Sequence, residues 1–171
     1  MFAPTKNIEM KARCRDIGKA RQVAQSLPAT LLGEGEQTDT YFNSPQGRLK
    51  VRQSSFDEVA NVVWYMRGNE VQPRESEYRL ARLRNPEKIA EIFTLRFGVR
   101  GTVKKRRTVF VCNGIRINLD TVEGLGDFIE FEAPIDGDPR ETQKAVVRLM
   151  QTFGIGRGDL VAGSYIDLLT K

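Results

Sequence analysis

The sequence predicts an α+β fold of seven or eight antiparallel strands with a few interspersed helices, arranged as an open sheet or a closed barrel. Three observations predict it. Short segments alternate apolar and charged residues at period two, as in Ile8 to Arg13 and Arg48 to Gln53. Turn signals separate them, the strongest being Asn113-Gly114. Three or four segments instead carry apolar residues at helical spacing behind capping residues. With 171 residues, the chain is long enough for one packed domain and short for two, so a single domain over 1–171 is expected.

Each element follows from its residues. Ile8 to Arg13 reads as a strand, and Asp16 can cap a helix with the stripe Ile17, Ala20, Ala24 and Leu27, ended by Pro28 and a turn region at Gly33 and Gly35. Thr38 to Asn43 leads through Ser44-Pro45-Gln46-Gly47 into Arg48 to Gln53, a hairpin signal. Val62 to Arg67 and Ser76 to Leu83 form a second antiparallel pair around Gly68-Asn69. Pro86 at a first helical position opens a helix with Ile89, Ile92, Phe93 and Leu95, stopping near Gly98. Gly101 to Cys112, Arg116 to Val122 and Phe128 to Pro134 are strands. Asp138-Pro139-Arg140-Glu141 starts a helix with the stripe Ala145, Val146, Leu149, Met150 and Phe153, and Tyr165 to Leu169 suits a short terminal one.

Composition excludes much chemistry. There is no histidine, which removes Ser-His-Asp triads, Cys-His pairs and histidine zinc sites, and leaves carboxylates, lysine, tyrosine or oxygen-ligated hard metals. Cys14 and Cys112 have no CxxC spacing, so the chain reads as cytoplasmic with incidental or buried thiols. Met1 to Lys11 lacks a signal-peptide core, and no run nears the 18 apolar residues of a membrane span. A net charge of +5 suggests an anionic partner.

The charge is concentrated on one face. Opposite the apolar set stand Glu9-Lys11-Arg13, Arg48-Lys50-Arg52, Tyr65-Arg67, Lys105-Arg107, Arg116-Asn118-Asp120 and Glu130-Glu132. Leu49, Val51, Ile117, Leu119, Ile129 and Phe131, with the aromatics Trp64 and Phe93, belong to a core under the helices, while Lys104 and Arg106 face solvent. A cationic row without interleaved acids asks for a polyanion, and neighbouring carboxylates ask for a divalent cation, Mg²⁺ or Mn²⁺ with oxygen-only ligands. That pairing suits a metal and phosphate site. A nucleic-acid platform would carry stacking aromatics and no acids in its groove.

The ordered set Asn7-Ile8-Glu9-Met10-Lys11-Ala12-Arg13, Asp39-Thr40-Tyr41-Phe42, Gly47-Arg48-Leu49-Lys50-Val51-Arg52, Tyr65-x-Arg67, Val103-x-Lys105-x-Arg107, Arg116 through Glu132 and Ser164-Tyr165-x-Asp167-Leu168-Leu169 resembles the CYTH superfamily. That superfamily groups class IV adenylyl cyclases with thiamine and inorganic triphosphatases. The resemblance covers nearly the whole chain. It implies an eight-stranded antiparallel barrel, a triphosphate tunnel with helices outside, and an enzyme acting on a nucleoside, thiamine or inorganic triphosphate with Mg²⁺ or Mn²⁺. It implies Glu9, Glu130 and Glu132 as metal ligands. Phosphate would be held by Lys11, Arg48, Lys50, Arg52, Arg67, Lys105 and Arg107, and catalysis supported by Lys11, Asp120 and Glu132. Asn7 stands where the family's Glu-x-Glu-x-Lys signature has its first acid, which implies a weaker ligand and motivates a non-catalytic module for nucleotides, polyphosphate or RNA ends as the alternative. Ser164 and Tyr165 read as the cap of a helix packed on the barrel, and Gly124 and Gly126 as a turn.

Overall fold

The computed structural model describes residues 5–170, so the ends of the expected 1–171 domain, 1–4 and 171, lie outside the described residues. Eight strands, β1 (Thr5–Arg13), β2 (Ala29–Phe42), β3 (Arg48–Ser54), β4 (Ala60–Arg67), β5 (Arg74–Leu83), β6 (Val99–Cys112), β7 (Ile115–Val122) and β8 (Gly126–Pro134), close into one barrel. Around it the order is β1-β5-β4-β3-β2-β6-β7-β8, every neighbouring pair antiparallel, and β8 returns to β1 with Glu9 opposite Glu132 and Lys11 opposite Glu130. The closed form thus resolves the choice between sheet and barrel. Closure removes the unpaired strand edges that an open sheet would have to protect.

The helices are α1 (Ile17–Ser26), α2 (Pro86–Phe97), α3 (Pro139–Thr152) and α4 (Tyr165–Leu169). Asp16 caps α1 by accepting from the Lys19 amide at 2.9 Å, and Asp138 caps α3 by accepting from the Arg140 amide at 2.9 Å. Outward-facing residues of β1, β7 and β8, among them Met10, Ile117 and Phe131, form a core with Ala20 and Ala24 of α1 and Val146 and Met150 of α3. A second cluster joins Phe42, Leu49 and Val51 to Phe93 and Phe97 of α2. Trp64 belongs to this cluster at its edge, only half-buried, with its indole N–H donating to the Gln46 carbonyl. Lys104 and Arg106 point outward as expected.

Two elements differ from the sequence reading. Gly33 and Gly35 lie inside β2, which begins at Ala29 and pairs with β6 along its length. They are small because the loop after β3 lies against them. A Cβ on Gly33 would stand 2.6 Å from the Phe56 ring, and one on Gly35 2.1 Å from the Ser55 hydroxyl. Close approach, rather than a turn, is what these glycines serve. The terminal helix α4 also does more than pack on the barrel. Tyr165 and Ile166 are buried against inward-facing Tyr41, Tyr65, Val103 and Phe128, so α4 plugs one end of the interior with an apolar layer.

Candidate functional site

Because side chains alternate along each strand, closing the barrel turns the charged face of the sequence into an interior. It holds a cavity of about 380 Å³ whose wall includes seven basic side chains, Lys11, Lys50, Arg52, Arg67, Lys105, Arg107 and Arg116, against three acids, Glu9, Glu130 and Glu132. The surplus of positive charge suits a multiply charged anion.

Two buried acids behind the wall organise these cations. Asp39, fully buried on β2, accepts from Lys50 Nζ at 2.8 Å and from Arg52 Nε and Nη2 at 2.8 and 3.0 Å, with Lys105 Nζ at 3.6 Å. Burial alone would raise its pKa, yet the surrounding Arg52, Lys50 and Lys105 hold it well below the usual carboxylate range. Asp120, fully buried on β7, accepts from Arg107 Nε and Nη2 at 2.6 and 2.5 Å and from the Tyr165 hydroxyl at 2.7 Å. Burial pushes that phenol well above its ordinary value, and the Asp120 and Glu130 charges push it further.

Burial also acts on the lysines. It lowers Lys50 to about 7, helped by the nearby Arg52 charge, against the attraction of Asp39. It lowers Lys11 to about 8 in spite of Glu130, and it lowers Lys105 as well. Lys11 Nζ sits 3.6 Å above the Tyr165 ring, and the ring's negative face stabilises the charged form of the amine.

The structure gathers most of the expected residues and moves two of them off the cavity wall. Lys11, Lys50, Arg52, Arg67, Lys105 and Arg107 all line the cavity, as do Glu9, Glu130 and Glu132. Arg48 does not. It donates to Asp167 of α4 at 3.1 and 2.7 Å and to Asn69 at 2.7 Å, beside a separate opening at the plugged end. The first position of the Arg48-Lys50-Arg52 row lies beyond the plug because the row extends along the barrel wall, while α4 occupies only one end. Asp120, expected in catalysis, sits behind Arg107 and Tyr165 rather than on the cavity wall. Glu130, expected as a metal ligand, has one oxygen 2.9 Å from Lys11 and the other 2.6 Å from Arg107, and these cations hold its pKa well below the usual range despite burial.

Among the described residues no three His, Cys, Asp or Glu side chains converge as a ready metal cluster. Glu9 is bonded to Arg67 at 2.5 Å, and Glu132 accepts from Asn118 at 3.1 Å. The donor set on β1 and β8 nevertheless fits a hard divalent cation. Glu9 and Glu132 are direct cross-strand neighbours, and Asn7, two residues before Glu9 on the same face, is buried with its Oδ1 lacking a hydrogen-bond partner among the described residues. A buried oxygen left without a donor beside two carboxylates is a feature a cation would satisfy.

Sequence reading missed Asp39 as an organiser and the interior positions of Tyr41 and Tyr165, while it placed Tyr65 on the charged face beside Arg67. The signal was present for Asp39 and Tyr41, since Thr38, Thr40 and Phe42 take the outward positions of β2 and leave the alternate ones inside. Arg74 was also missed. It is buried opposite Glu9 with Nε and Nη2 unsatisfied among the described residues, and nothing local marks it.

Known proteins resemble this chain. A Pyrococcus horikoshii OT3 protein of solved structure is 29% identical and superposes with a TM-score of 0.86, covering 95% of this chain and 98% of that one. A Methanocaldococcus jannaschii protein named "Putative adenylate cyclase" is 25% identical over 94% of this chain and 97% of its own length. Adenylate cyclase CyaB of Aeromonas hydrophila is 22% identical over 94% of this chain and 87% of its own length. The CYTH domain profile matches residues 5–165, a span that starts at the first residue of β1 and ends at the tyrosine plugging the tunnel, and the chain therefore belongs to the CYTH domain family.

Proposed function

We propose that this protein binds a triphosphate together with Mg²⁺ or Mn²⁺ inside the barrel and converts it, with cyclisation of ATP to 3′,5′-cyclic AMP as the leading reaction. One observation carries the reading: seven basic side chains from five strands converge on one cavity, and the buried acids Asp39 and Asp120 behind it fix Lys50, Arg52 and Arg107 in place. The adenylate cyclase names of two relatives support the choice of reaction.

Arg52 and Arg107, locked by Asp39 and Asp120, present fixed guanidinium groups to phosphoryl oxygens, and Lys50 and Lys105 add compact charges beside them. Glu9, Glu132 and Asn7 Oδ1 would hold the divalent cation, which supplies charge neutralisation and alignment of the phosphates when bound. In cyclisation the ribose 3′ oxygen attacks the α-phosphorus, the 3′ proton is lost to a base, and pyrophosphate departs into the cationic wall. Lys11, at about 8, is suited to exchange a proton with a reacting oxygen near neutral pH.

Hydrolysis of the terminal phosphoryl group is the second reading, favoured by the Lys50 amine. At about 7 this buried group can take a proton from an attacking water. The test supplies ATP, thiamine triphosphate and tripolyphosphate, each with Mg²⁺ and with Mn²⁺, and measures phosphate, pyrophosphate and cyclic AMP together. Cyclic AMP with equimolar pyrophosphate supports the leading reaction, and phosphate release supports the second. Binding without product would make the protein a recognition module, and no binding at all would refute the tunnel. Glu132→Gln and Arg52→Ala should abolish turnover while the melting transition persists.

A further inference from the structure

The cavity changes character toward its open end. Leu32 and Leu80 both line it and are 54% and 49% exposed, so each presents apolar surface to water beside the charged site. Leu32 owes its position to a defect in the strand ladder. Leu31 pairs with Phe110 and Gly33 with Val109, so Leu32 is the extra residue of a β-bulge, a device that re-aims a side chain. Phe56, packed on Gly33, allows no Cβ there and holds the bulge in place.

Leu80 belongs to the inward set of β5, opposite Val63 of β4, which also lines the cavity. In the barrel order β5 stands across from β6, with β2 adjacent to β6, so Leu80 lies on the wall opposite the one carrying Val111 and Leu32, and all three line the cavity. Below this apolar pair the wall turns cationic, with Lys50, Arg52 and Arg107. A ligand matching both zones has a flat, poorly hydrated group at one end and condensed phosphate at the other. Inorganic tripolyphosphate matches only the inner zone.

Resting on the triphosphate reading above, we infer that Leu32 and Leu80 form a clamp for the aromatic ring of an organic triphosphate, so that the protein selects ring-bearing triphosphates over inorganic ones. A ring between the two leucines covers apolar surface that otherwise stays in water, at little cost in side-chain entropy. Covering the exposed half of a leucine corresponds to about three- to tenfold in affinity.

The test titrates the full chain, with Mg²⁺ present, with ATP and with tripolyphosphate by calorimetry. Leu32→Ser, Leu80→Ser and the double variant are compared with wild type and with Leu95→Ser, which removes an exposed leucine on α2 far from the cavity. The expected result is that the affinity ratio of ATP to tripolyphosphate falls about three- to tenfold in each single variant and roughly ten- to hundredfold in the double variant. Leu95→Ser should leave the ratio unchanged. A ratio unchanged in the double variant, or equal weakening of both ligands, overturns the clamp while leaving the phosphate grip standing. Wild-type protein that binds neither ligand overturns both readings.

Discussion

Asp39→Asn isolates the contribution of the acid that organises the cationic wall. The substitution keeps the shape and removes one charge from the centre of Lys50, Arg52 and Lys105, at 2.8, 2.8 and 3.6 Å. At an effective dielectric near 20, each close contact is worth roughly 5 kcal/mol before desolvation is subtracted. Much of that gross attraction offsets the cost of burying Asp39, and the net loss expected for breaking a buried ionic cluster is about 3–5 kcal/mol. For a domain of this size that lowers the melting temperature by roughly 6–20 °C.

The cluster gives the variant a second signature. Arg52, Lys105 and the protonated fraction of Lys50, left without their acid, are relieved by a polyanion, so tripolyphosphate should stabilise Asp39→Asn more than it stabilises wild type. Thermal melts with and without tripolyphosphate read both quantities. A loss under about 1 kcal/mol, or an identical ligand-induced shift in both proteins, would refute the assignment of Asp39 as organiser of the wall.

Lys50 sets a pH dependence. Its pKa falls from 10.5 in the free amine to about 7 in the fold, so between those values the unfolded chain binds more protons and stability rises with pH, flattening below about 7. Denaturant titrations from pH 6 to 10 should show this rise, and Lys50→Met should reduce it; equal slopes in the two proteins would contradict the burial argument. Arg48→Ala should lower stability by about 1–3 kcal/mol through loss of the hydrogen-bonded pair with Asp167, yet weaken tripolyphosphate binding far less than Arg52→Ala does, as chemical denaturation and calorimetry would report. Glu132→Gln should reduce Mn²⁺ affinity at least tenfold in a direct metal titration with little change in the melt, because among the described residues only Asn118 loses a charged acceptor.

Local chemistry made much of this protein legible from its sequence. Period-two alternation placed Glu9, Lys11, Lys50, Arg52, Lys105, Arg107, Glu130 and Glu132 on one face, and the barrel kept all of them inside, because inward and outward positions are set by the pleat residue by residue. The Asn113-Gly114 turn and the caps at Asp16 and Asp138 were readable for the same reason: each is satisfied by atoms a few residues away.

Tertiary structure alone decided which charges meet. Period two says that Asp39 and Arg52 face inward, but only the β2–β3 register sets them opposite each other, and only closure of the barrel brings Lys105 to the same acid. Arg48 left the cavity because α4, more than a hundred residues later, fills that end and offers Asp167. Leu32 reached the opening through a bulge whose register depends on a partner strand nearly eighty residues away. Side-chain direction is a property of the local backbone, whereas ion pairing and solvent access depend on what distant chain arrives alongside, and no period in the sequence encodes that arrival.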